Sequence, residues 1–593
     1  MATMRTTCAA PPKHSATSQT KPRGPRNGRC VGWKKTWHVD GGAKRGQRVC
    51  GAPDVGSSVY GVSLEDAPAN VLQEEEVENE LQEMLCRIKE GLQWQGTPQR
   101  AYVVSGTGNH LGMDVLWRLS VRPDGAFREE VRGRHLRYSW GHDGSLSTGS
   151  VWEVDYTGLP QTLELDDHET TLLCTWVRTG LWLDPERRHL VDMELRKEED
   201  GRMVIDVRLP DGKVTGTVVL DGTTLHPQEL HLPVCGDMEK WQYQDWESYL
   251  ADVRFPRESV HVASAGGTHN FVVDSSEYAA PGSDALLYRI PVVPPVPHGT
   301  SYSTDGAWVV PAWRSASGHV LVKPKIDGKE VGLFILDTGA SGFVVEPDTA
   351  NKLDMSSFGE LFVAGVGGKV KCQFRQARHF ALGHVELEAP LFMEMFLTGV
   401  VQGAPEPVVG IVGYDVFRRA VIEVPAESES LGKSIPLRMH VPHEYISPPE
   451  LKDKWVDLHL VSGVPHVPAC FSGAAEDRPQ LFMLDSGAGG VGAMFHHRGV
   501  EELKLLDLLT KRTSTHVRGV GGEGVLGMKV DRGRLNWLQL GDERFEEVEA
   551  LFASGGGLDL SLHTCGMLCG DLLAECGVVF DYPRRRIAFY RVE

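Results

Sequence analysis

Residues 333–341 read Leu-Phe-Ile-Leu-Asp-Thr-Gly-Ala-Ser, and residues 481–489 read Leu-Phe-Met-Leu-Asp-Ser-Gly-Ala-Gly. Each segment begins with four apolar residues, which predict a short buried strand, and continues with an aspartate, a small hydroxyl residue and glycine. The two aspartates, Asp337 and Asp485, are 148 positions apart. One such segment is a weak signal, but two of them predict a pair of carboxylates that meet at a pseudo-two-fold axis.

The repeat extends well beyond these two segments. Each aspartate is followed, in the same order, by a glycine-rich turn, a Leu-Gly pair before a short strand, a segment that ends in Asp415 or Asp571, and a last strand. Corresponding positions lie 148 to 158 residues apart, which indicates two homologous units with small loop insertions. The glycine-rich turns are Gly365, Val366, Gly367 and Gly368 in the first copy and Gly519, Val520, Gly521 and Gly522 in the second.

This order of motifs resembles the subunit of retropepsin-like aspartic peptidases, in which an aspartate loop, a glycine-rich flap and a terminal strand follow one another. The likeness covers about residues 318–425 and 453–593. Two fused units resemble the bilobal arrangement of pepsin with retroviral-type flaps. The resemblance implies a mainly β, acid-protease double β-barrel and a monomer whose lobes pair within one chain.

The resemblance also implies an activity, that of an aspartic endopeptidase acting on polypeptide substrates. Asp337 and Asp485 are then the catalytic pair, since two carboxylates about 3 Å apart share one proton. The ionised member activates a water molecule, and the protonated member stabilises the oxyanion that forms. This chemistry requires no cofactor, and we predict no metal site.

Other loop and flap residues acquire expected roles from the resemblance. The flap glycines are expected to contact substrate, because glycine gives a closing lid its mobility. Alanine follows both loop glycines, where pepsins carry a hydroxyl donor, so we predict a milder pH optimum than that of pepsin. Residues expected to support the aspartate loops are Thr338, Gly339, Ser341, Ser486 and Gly487.

The N-terminal half has a different pattern. Residues 68–92 have the composition and spacing of a helix, and short alternating runs separated by turn residues follow. These runs predict antiparallel strands at 115–121, 128–131, 151–156, 172–177, 203–209 and 214–220. Residues 138–155 resemble the β-rich domain that precedes the peptidase part of some aspartyl-protease-like proteins and is similar to lipoprotein-carrier half-barrels. Eight of the fourteen tryptophans fall between Trp94 and Trp246, where they either fill a core or line a site for a hydrophobic ligand.

The first fifty residues are basic, with eleven Lys or Arg and a single acidic residue, Asp40. This composition predicts an organelle transit peptide, for a chloroplast ahead of a mitochondrion; the alternative is a disordered basic tail on a cytoplasmic protein. The net charge of −19 argues against a nucleic-acid partner. Eleven scattered cysteines without zinc-ligand spacing predict reduced core residues, and no apolar run is long enough for a transmembrane helix.

Proline-rich stretches at 291–297 and 427–449 mark two boundaries. The predicted organisation is a disordered leader at 1–65, a helix and antiparallel half-barrel sheet at 66–290, a linker at 291–317, a first lobe at 318–430, a linker at 431–452 and a second lobe at 453–593.

Two functions without catalysis remain open from the sequence. Gly489 stands opposite Ser341, and Cys569 opposite Gly413, so the fold of the second copy could belong to an inactive peptidase that binds a peptide or partner. The other function is a lipophilic-ligand carrier built on residues 100–290.

Overall fold

The mainly β character predicted from the sequence is confirmed, with large antiparallel sheets. The structure, a computed structural model, describes residues 69–591 except 145–149, 235, 265, 281, 283–284, 305, 307, 366–367, 398–400, 402, 427–433, 474, 510, 518–527 and 556–558. The predicted leader lies outside the described residues. None of the described helices is long and apolar enough to cross a membrane.

The helix predicted at residues 68–92 is confirmed as α1. Its Leu81, Leu85, Ile88 and Leu92 recur every three or four residues and are buried, so a single face packs on the neighbouring sheet. The helices within the described ranges are α1 Ala69–Leu92, α2 Leu165–Thr179, α3 Pro347–Lys352, α4 Tyr414–Phe417, α5 His497–Glu502 and α6 Gly570–Ala574.

An antiparallel sheet forms the N-terminal half. Each strand pairs with the next along the chain from β1 to β6 and from β7 to β13, and β1 pairs with β13 to join the two runs. Its strands, as far as the structure describes them, are β1 Tyr102–His110, β2 Met113–Val121, β3 Phe127–Gly133, β4 Arg137–His142, β5 Val151–Val154, β6 Pro160–Thr162, β7 Asp192–Lys197, β8 Met203–Arg208, β9 Thr215–Leu220, β10 Pro227–Val234, β11 Asp237–Leu250, β12 Val253–Val262 and β13 Thr268–Tyr278.

The strand predicted at 172–177 is wrong, because these residues belong to α2. Leu172, Leu173, Trp176 and Val177 are buried with helical spacing, and together they cover one face of the sheet. A short apolar run with β-branched neighbours does not distinguish a strand from a buried helix. The helix ends at Gly180, whose positive φ of 75° is the left-handed conformation that terminates helices.

The C-terminal half begins with strands that surround the first aspartate. Their bounds are β14 Thr300–Tyr302, β15 Val309–Arg314, β16 Val320–Val322, β17 Lys325–Ile326, β18 Lys329–Glu330, β19 Leu333–Leu336, β20 Phe343–Val345, β21 Ser356–Gly365, β22 Gly368–Gln376, β23 His379–Leu382, β24 Val385–Glu388, β25 Leu391–Glu394, β26 Val408–Val412, β27 Val421–Val424 and β28 Ser434–His440. Strands β15 and β28 fall inside the two segments predicted as linkers and pair with each other.

The remaining strands surround the second aspartate. They are β29 Trp455–Asp457, β30 His459–Val461, β31 Val464–Phe471, β32 Ala475–Asp485, β33 Ala493–Phe495, β34 Thr513–Val517, β35 Met528–Leu540, β36 Glu543–Ala553, β37 Thr564–Cys569, β38 Gly577–Asp581 and β39 Arg586–Tyr590. Strand β31 pairs with both β32 and β35, so this sheet closes on itself. Strand β38 pairs with β27, which joins the two parts of the C-terminal half in one sheet.

The same strand pairing occurs around both aspartates. Strand β19, which leads to Asp337, lies parallel to β26, and β26 also pairs with β20. Strand β32, which leads to Asp485, lies parallel to β37, and β37 also pairs with β33. Each aspartate therefore follows an interior strand that neighbours hold on both sides.

The segment after β5 joins the N-terminal sheet to the rest of the molecule. It contributes buried or half-buried polar groups to both parts of the C-terminal half. These contacts are Asp155 with the Tyr414 hydroxyl at 2.7 Å, Gln161 with Arg418 at 2.9 Å, and Asp167 with the Ser462 N–H at 2.6 Å.

Candidate active site

The structure brings Asp337 and Asp485 together. Their carboxyl groups are adjacent, at the ends of β19 and β32. The four residues of β19 are at most 2% exposed, so the loop that follows starts from a rigid, packed strand.

Reciprocal hydrogen bonds hold the two aspartate loops to each other. The Thr338 hydroxyl donates to the Leu484 carbonyl at 2.8 Å and accepts from the Ser486 N–H at 3.0 Å. The Ser486 hydroxyl donates to the Leu336 carbonyl at 2.9 Å and accepts from the Thr338 N–H at 3.0 Å. The two hydroxyl residues thus brace the loops in a nearly symmetrical way.

Glycine is required at positions 339 and 487 because the carboxylate of the opposite loop comes close to the backbone there. The Gly339 N–H donates to Asp337 Oδ1 at 2.8 Å, and the Gly487 N–H donates to Asp485 Oδ1 at 2.9 Å. A Cβ on Gly339 would lie 2.6 Å from Asp485 Oδ1, and a Cβ on Gly487 would overlap the Asp337 carboxylate. Any side chain at either position would therefore push the two carboxyl groups apart.

The surroundings of the pair favour a shared proton. Burial, followed by the charge of Asp485, holds the pKa of Asp337 well above its ordinary value. Burial also raises the pKa of Asp485, although the loop N–H groups oppose that shift by stabilising its charged form. Two adjacent carboxylates cannot both ionise at low cost, so the pair retains one proton into the range where an isolated aspartate has lost its own.

His319 is a neighbour of the site that sequence reasoning missed. Its Nε2 lies 2.9 Å from the Gly487 carbonyl oxygen, and its Nδ1 lies 2.8 Å from the Ser317 hydroxyl. Its positive charge, when protonated, lowers the pKa of Asp485. His319 and Gly487 are 168 positions apart, so spacing gave no sign of the contact.

The glycine at position 489 has a structural reason. A Cβ there would overlap the Ser317 carbonyl oxygen and lie 3.0 Å from His319 Cε1. Gly489 therefore makes room for the turn that carries His319. In the sequence, this turn is indicated only by the difference between Gly489 and Ser341, which occupy corresponding positions of the two copies.

Ser341 contacts the N-terminal sheet domain through its backbone. The Tyr156 hydroxyl donates to the Ser341 carbonyl at 3.1 Å. Asp415 and Asp571 lie inside the first turns of α4 and α6. The Asp571 carboxylate accepts a hydrogen bond from the Gly490 N–H, so it supports the second aspartate loop directly.

The structure describes part of the predicted flaps. Gly365 and Gly368 face each other at the end of the β21–β22 hairpin, while Val366 and Gly367 between them lie outside the described residues. Residues 519–522 of the second flap also lie outside the described residues.

The β21–β22 hairpin, predicted as the first flap, contacts the N-terminal sheet domain. Lys369 pairs with Asp237, and the Glu360 N–H donates to the Leu111 carbonyl at 2.7 Å. A cavity of about 200 Å³ lies between the hairpin and the sheet, and its lining includes Tyr156 and Ser341. The N-terminal domain therefore forms a wall beside the aspartate loops.

We expect Thr338→Val to loosen the brace between the loops. Valine has nearly the same shape but leaves the Leu484 carbonyl and the Ser486 N–H without their partner, which costs about 1–3 kcal/mol of unfolding free energy. Chemical denaturation measures this loss. The matched control, Thr338→Ser, keeps the hydroxyl and loses only a methyl group, and a loss for valine no greater than for serine would contradict the bracing role.

Comparisons with known proteins agree with part of this picture. A family model described as aspartyl protease matches residues 322–416, which include Asp337 and the first flap. A search of curated proteins found no match. A solved structure, a putative outer membrane lipoprotein-sorting protein domain from Vibrio parahaemolyticus, matches 35% of this chain and 94% of its own length at 11% identity, with a TM-score of 0.24. The first half of the aspartate site thus has the sequence features of an aspartyl protease domain.

Proposed function

We propose that this protein is an aspartic endopeptidase in which Asp337 and Asp485 together activate a water molecule. The reciprocal bracing by Thr338 and Ser486 carries the proposal, because it holds the two aspartate loops, and with them the two carboxyl groups, next to each other. The aspartyl protease match at 322–416 supports it independently.

In this mechanism the dyad works as an acid and a base at the same time. The ionised carboxylate removes a proton from a water molecule, and the resulting hydroxide attacks the peptide carbonyl. The protonated carboxyl donates a hydrogen bond to the carbonyl oxygen as negative charge develops there. The proton taken from water is then available for the leaving amine. Because the pair titrates as a unit, the roles belong to the dyad and not to one residue.

We further propose that residues 318–430 and 453–593 are two retropepsin-like lobes that pair within one chain. The twofold occurrence of the strand pairing around β19 and β32 supports this. So do the hydrogen bonds between the two aspartate loops, which belong to the same chain. Each lobe would supply one aspartate and one flap to a common cleft.

The pH profile follows from the raised pKa of both aspartates. Catalysis needs one proton on the dyad, so activity falls at low pH as the second proton binds and at high pH as the last proton leaves. Raised pKa values move both limbs upward, so we expect maximal kcat/KM at a less acidic pH than for pepsin. An Ala488→Ser variant should move the profile to lower pH, because an added hydroxyl donor stabilises the charged carboxylate. Activity confined below about pH 3 would contradict this account.

A lipophilic-ligand function of the N-terminal domain finds less support. The domain contains a cavity of about 190 Å³ whose lining includes Glu129, Arg178 and Glu239 beside Trp140 and Trp241. Charged groups disfavour an acyl chain, since burying them against hydrocarbon removes their solvation. Buried tryptophans such as Trp117, Trp152 and Trp182 instead belong to the core of the domain.

A further inference from the structure

A second cluster of titratable side chains lies far along the chain from the aspartate loops, where α2 meets the second lobe. Asp166 and Glu169 are three positions apart in the first turns of α2, so they share one helix face. Both residues are only 5% exposed. The third member, His563, comes from the segment just before β37.

One atom of each side chain points to a common centre. The distance from Glu169 Oε1 to His563 Nε2 is 2.8 Å, and that from Asp166 Oδ1 to His563 Nε2 is 3.6 Å. All three atoms lie within 4.8 Å of one another.

The other carboxylate oxygens are fixed by backbone donors. The Leu562 N–H donates to Asp166 Oδ2 at 2.7 Å, and the Val214 N–H donates to Glu169 Oε2 at 2.7 Å. Outer hydrogen bonds of this kind orient side chains that bind a metal. They leave Asp166 Oδ1 and Glu169 Oε1 directed at His563.

A hydrogen bond from His563 does not satisfy both oxygens. A neutral imidazole with its proton on Nε2 donates to Glu169 Oε1, and Asp166 Oδ1 then remains buried without a hydrogen-bond partner. A buried carboxylate oxygen without a partner is costly. A cation at the centre of the three atoms would satisfy all of them and neutralise the two carboxylates.

We propose that Asp166, Glu169 and His563 bind a zinc ion. Two carboxylate oxygens and an imidazole nitrogen are a zinc ligand set, whereas calcium takes six or more oxygens. Tetrahedral zinc with bonds of about 2.0–2.1 Å places its ligand atoms about 3.3 Å apart, and the distances of 2.8 and 3.6 Å lie on either side of that value. The His563 side chain is 20% exposed, which leaves a side open for a water ligand.

This site differs from the sequence expectation of no metal. An Asp-x-x-Glu spacing is common on helices, and His563 lies 394 positions from Glu169, so spacing could not reveal it. The site would join α2 of the N-terminal domain to the second lobe. It is separate from the proposed catalytic dyad and does not depend on peptidase activity.

The test is a titration of metal-stripped full-length protein with zinc chloride. We expect isothermal calorimetry to give one saturable zinc per chain, and the melting temperature to rise by about 3 °C at a hundredfold excess over Kd. Cobalt(II) in place of zinc should give visible absorption bands typical of a site with nitrogen and oxygen ligands.

Substitutions of the proposed ligands test whether zinc binds at this cluster. His563→Gln and Asp166→Asn should each weaken zinc binding at least about tenfold and remove the cobalt bands. The matched control is His459→Gln, since His459 lies 3.1 Å from Glu164 in another histidine–carboxylate contact between α2's N-terminal end and the second lobe. This control should bind zinc as the wild type does.

The absence of saturable binding to the wild-type protein would overturn the proposal even if a variant failed to fold. Unchanged affinity in both His563→Gln and Asp166→Asn would also overturn it, and the cluster would then be an ion-pair network. Neither readout involves peptide cleavage, so the zinc site and the proposed peptidase function stand or fall separately.

Discussion

Asp337→Asn and Asp485→Asn should each lower kcat/KM for cleavage of a denatured protein by at least about 10³-fold, with the fold retained. Asparagine has the shape of aspartate and still accepts the loop N–H bonds, but it neither removes a proton from water nor shares one with its neighbour. At neutral pH each variant should also unfold at a higher temperature, because it removes a buried carboxylate whose pKa is raised.

The sign of that stability change follows from linkage. A carboxyl whose pKa is higher in the folded state binds its proton more tightly there, so its contribution to stability is present at low pH and is lost as pH rises through the folded-state pKa. The gain from Asn should therefore be larger at pH 7 than at pH 4.

Two controls make the activity result specific. Asp453→Asn changes an exposed carboxylate in the second lobe and should leave cleavage unchanged. A mixture of Asp337→Asn and Asp485→Asn chains should remain inactive, because each dyad forms within one chain. Restored activity in the mixture would indicate pairing between chains, and cleavage that survives both substitutions would remove the dyad from the mechanism.

Glu129→Gln should destabilise the N-terminal domain by about 3 kcal/mol. Glu129 and Arg178 form an ion pair whose side chains are 1% and 3% exposed, and Glu129 also accepts a hydrogen bond from Trp117 Nε1 at 2.6 Å. Glutamine keeps the acceptor for Trp117 but leaves the Arg178 charge buried without a counter-ion. Chemical denaturation followed by tryptophan fluorescence measures the change.

The matched control is an exposed pair in the same sheet. Arg208 and Asp192 lie 3.3 Å apart with side chains about half exposed, so Asp192→Asn should cost less than about 1 kcal/mol. Equal losses of unfolding free energy for Glu129→Gln and Asp192→Asn would show that burial does not determine how strongly the Glu129–Arg178 pair stabilises the domain.

The aspartate loops were predictable because their signals are local. An apolar run gives the strand, and glycine beside the aspartate gives the close approach, so β19 and the end of β32 agree with the sequence in both position and type. Repetition within the chain then indicated that the two loops meet.

Other features depend on contacts between residues that are far apart in the chain, so the spacing of motifs does not predict them. The second half of α2, residues 172–177, was predicted as a strand, because the sheet that buries it is built by strands before and after it in the chain. His319, which precedes the first aspartate loop, contacts Gly487 in the second aspartate loop. The ion pair between Lys369 and Asp237 likewise joins the β21–β22 hairpin to the N-terminal sheet. These two segments share no sequence motif that would predict the contact.

The stoichiometry of pepstatin binding to the protein, measured by calorimetry at about pH 5, tests most directly whether the two aspartates of one chain form the site. We expect one inhibitor per chain, with binding lost in Asp485→Asn, because each chain supplies both aspartates of its site. No binding to the wild-type protein, or one inhibitor for every two chains, would contradict it.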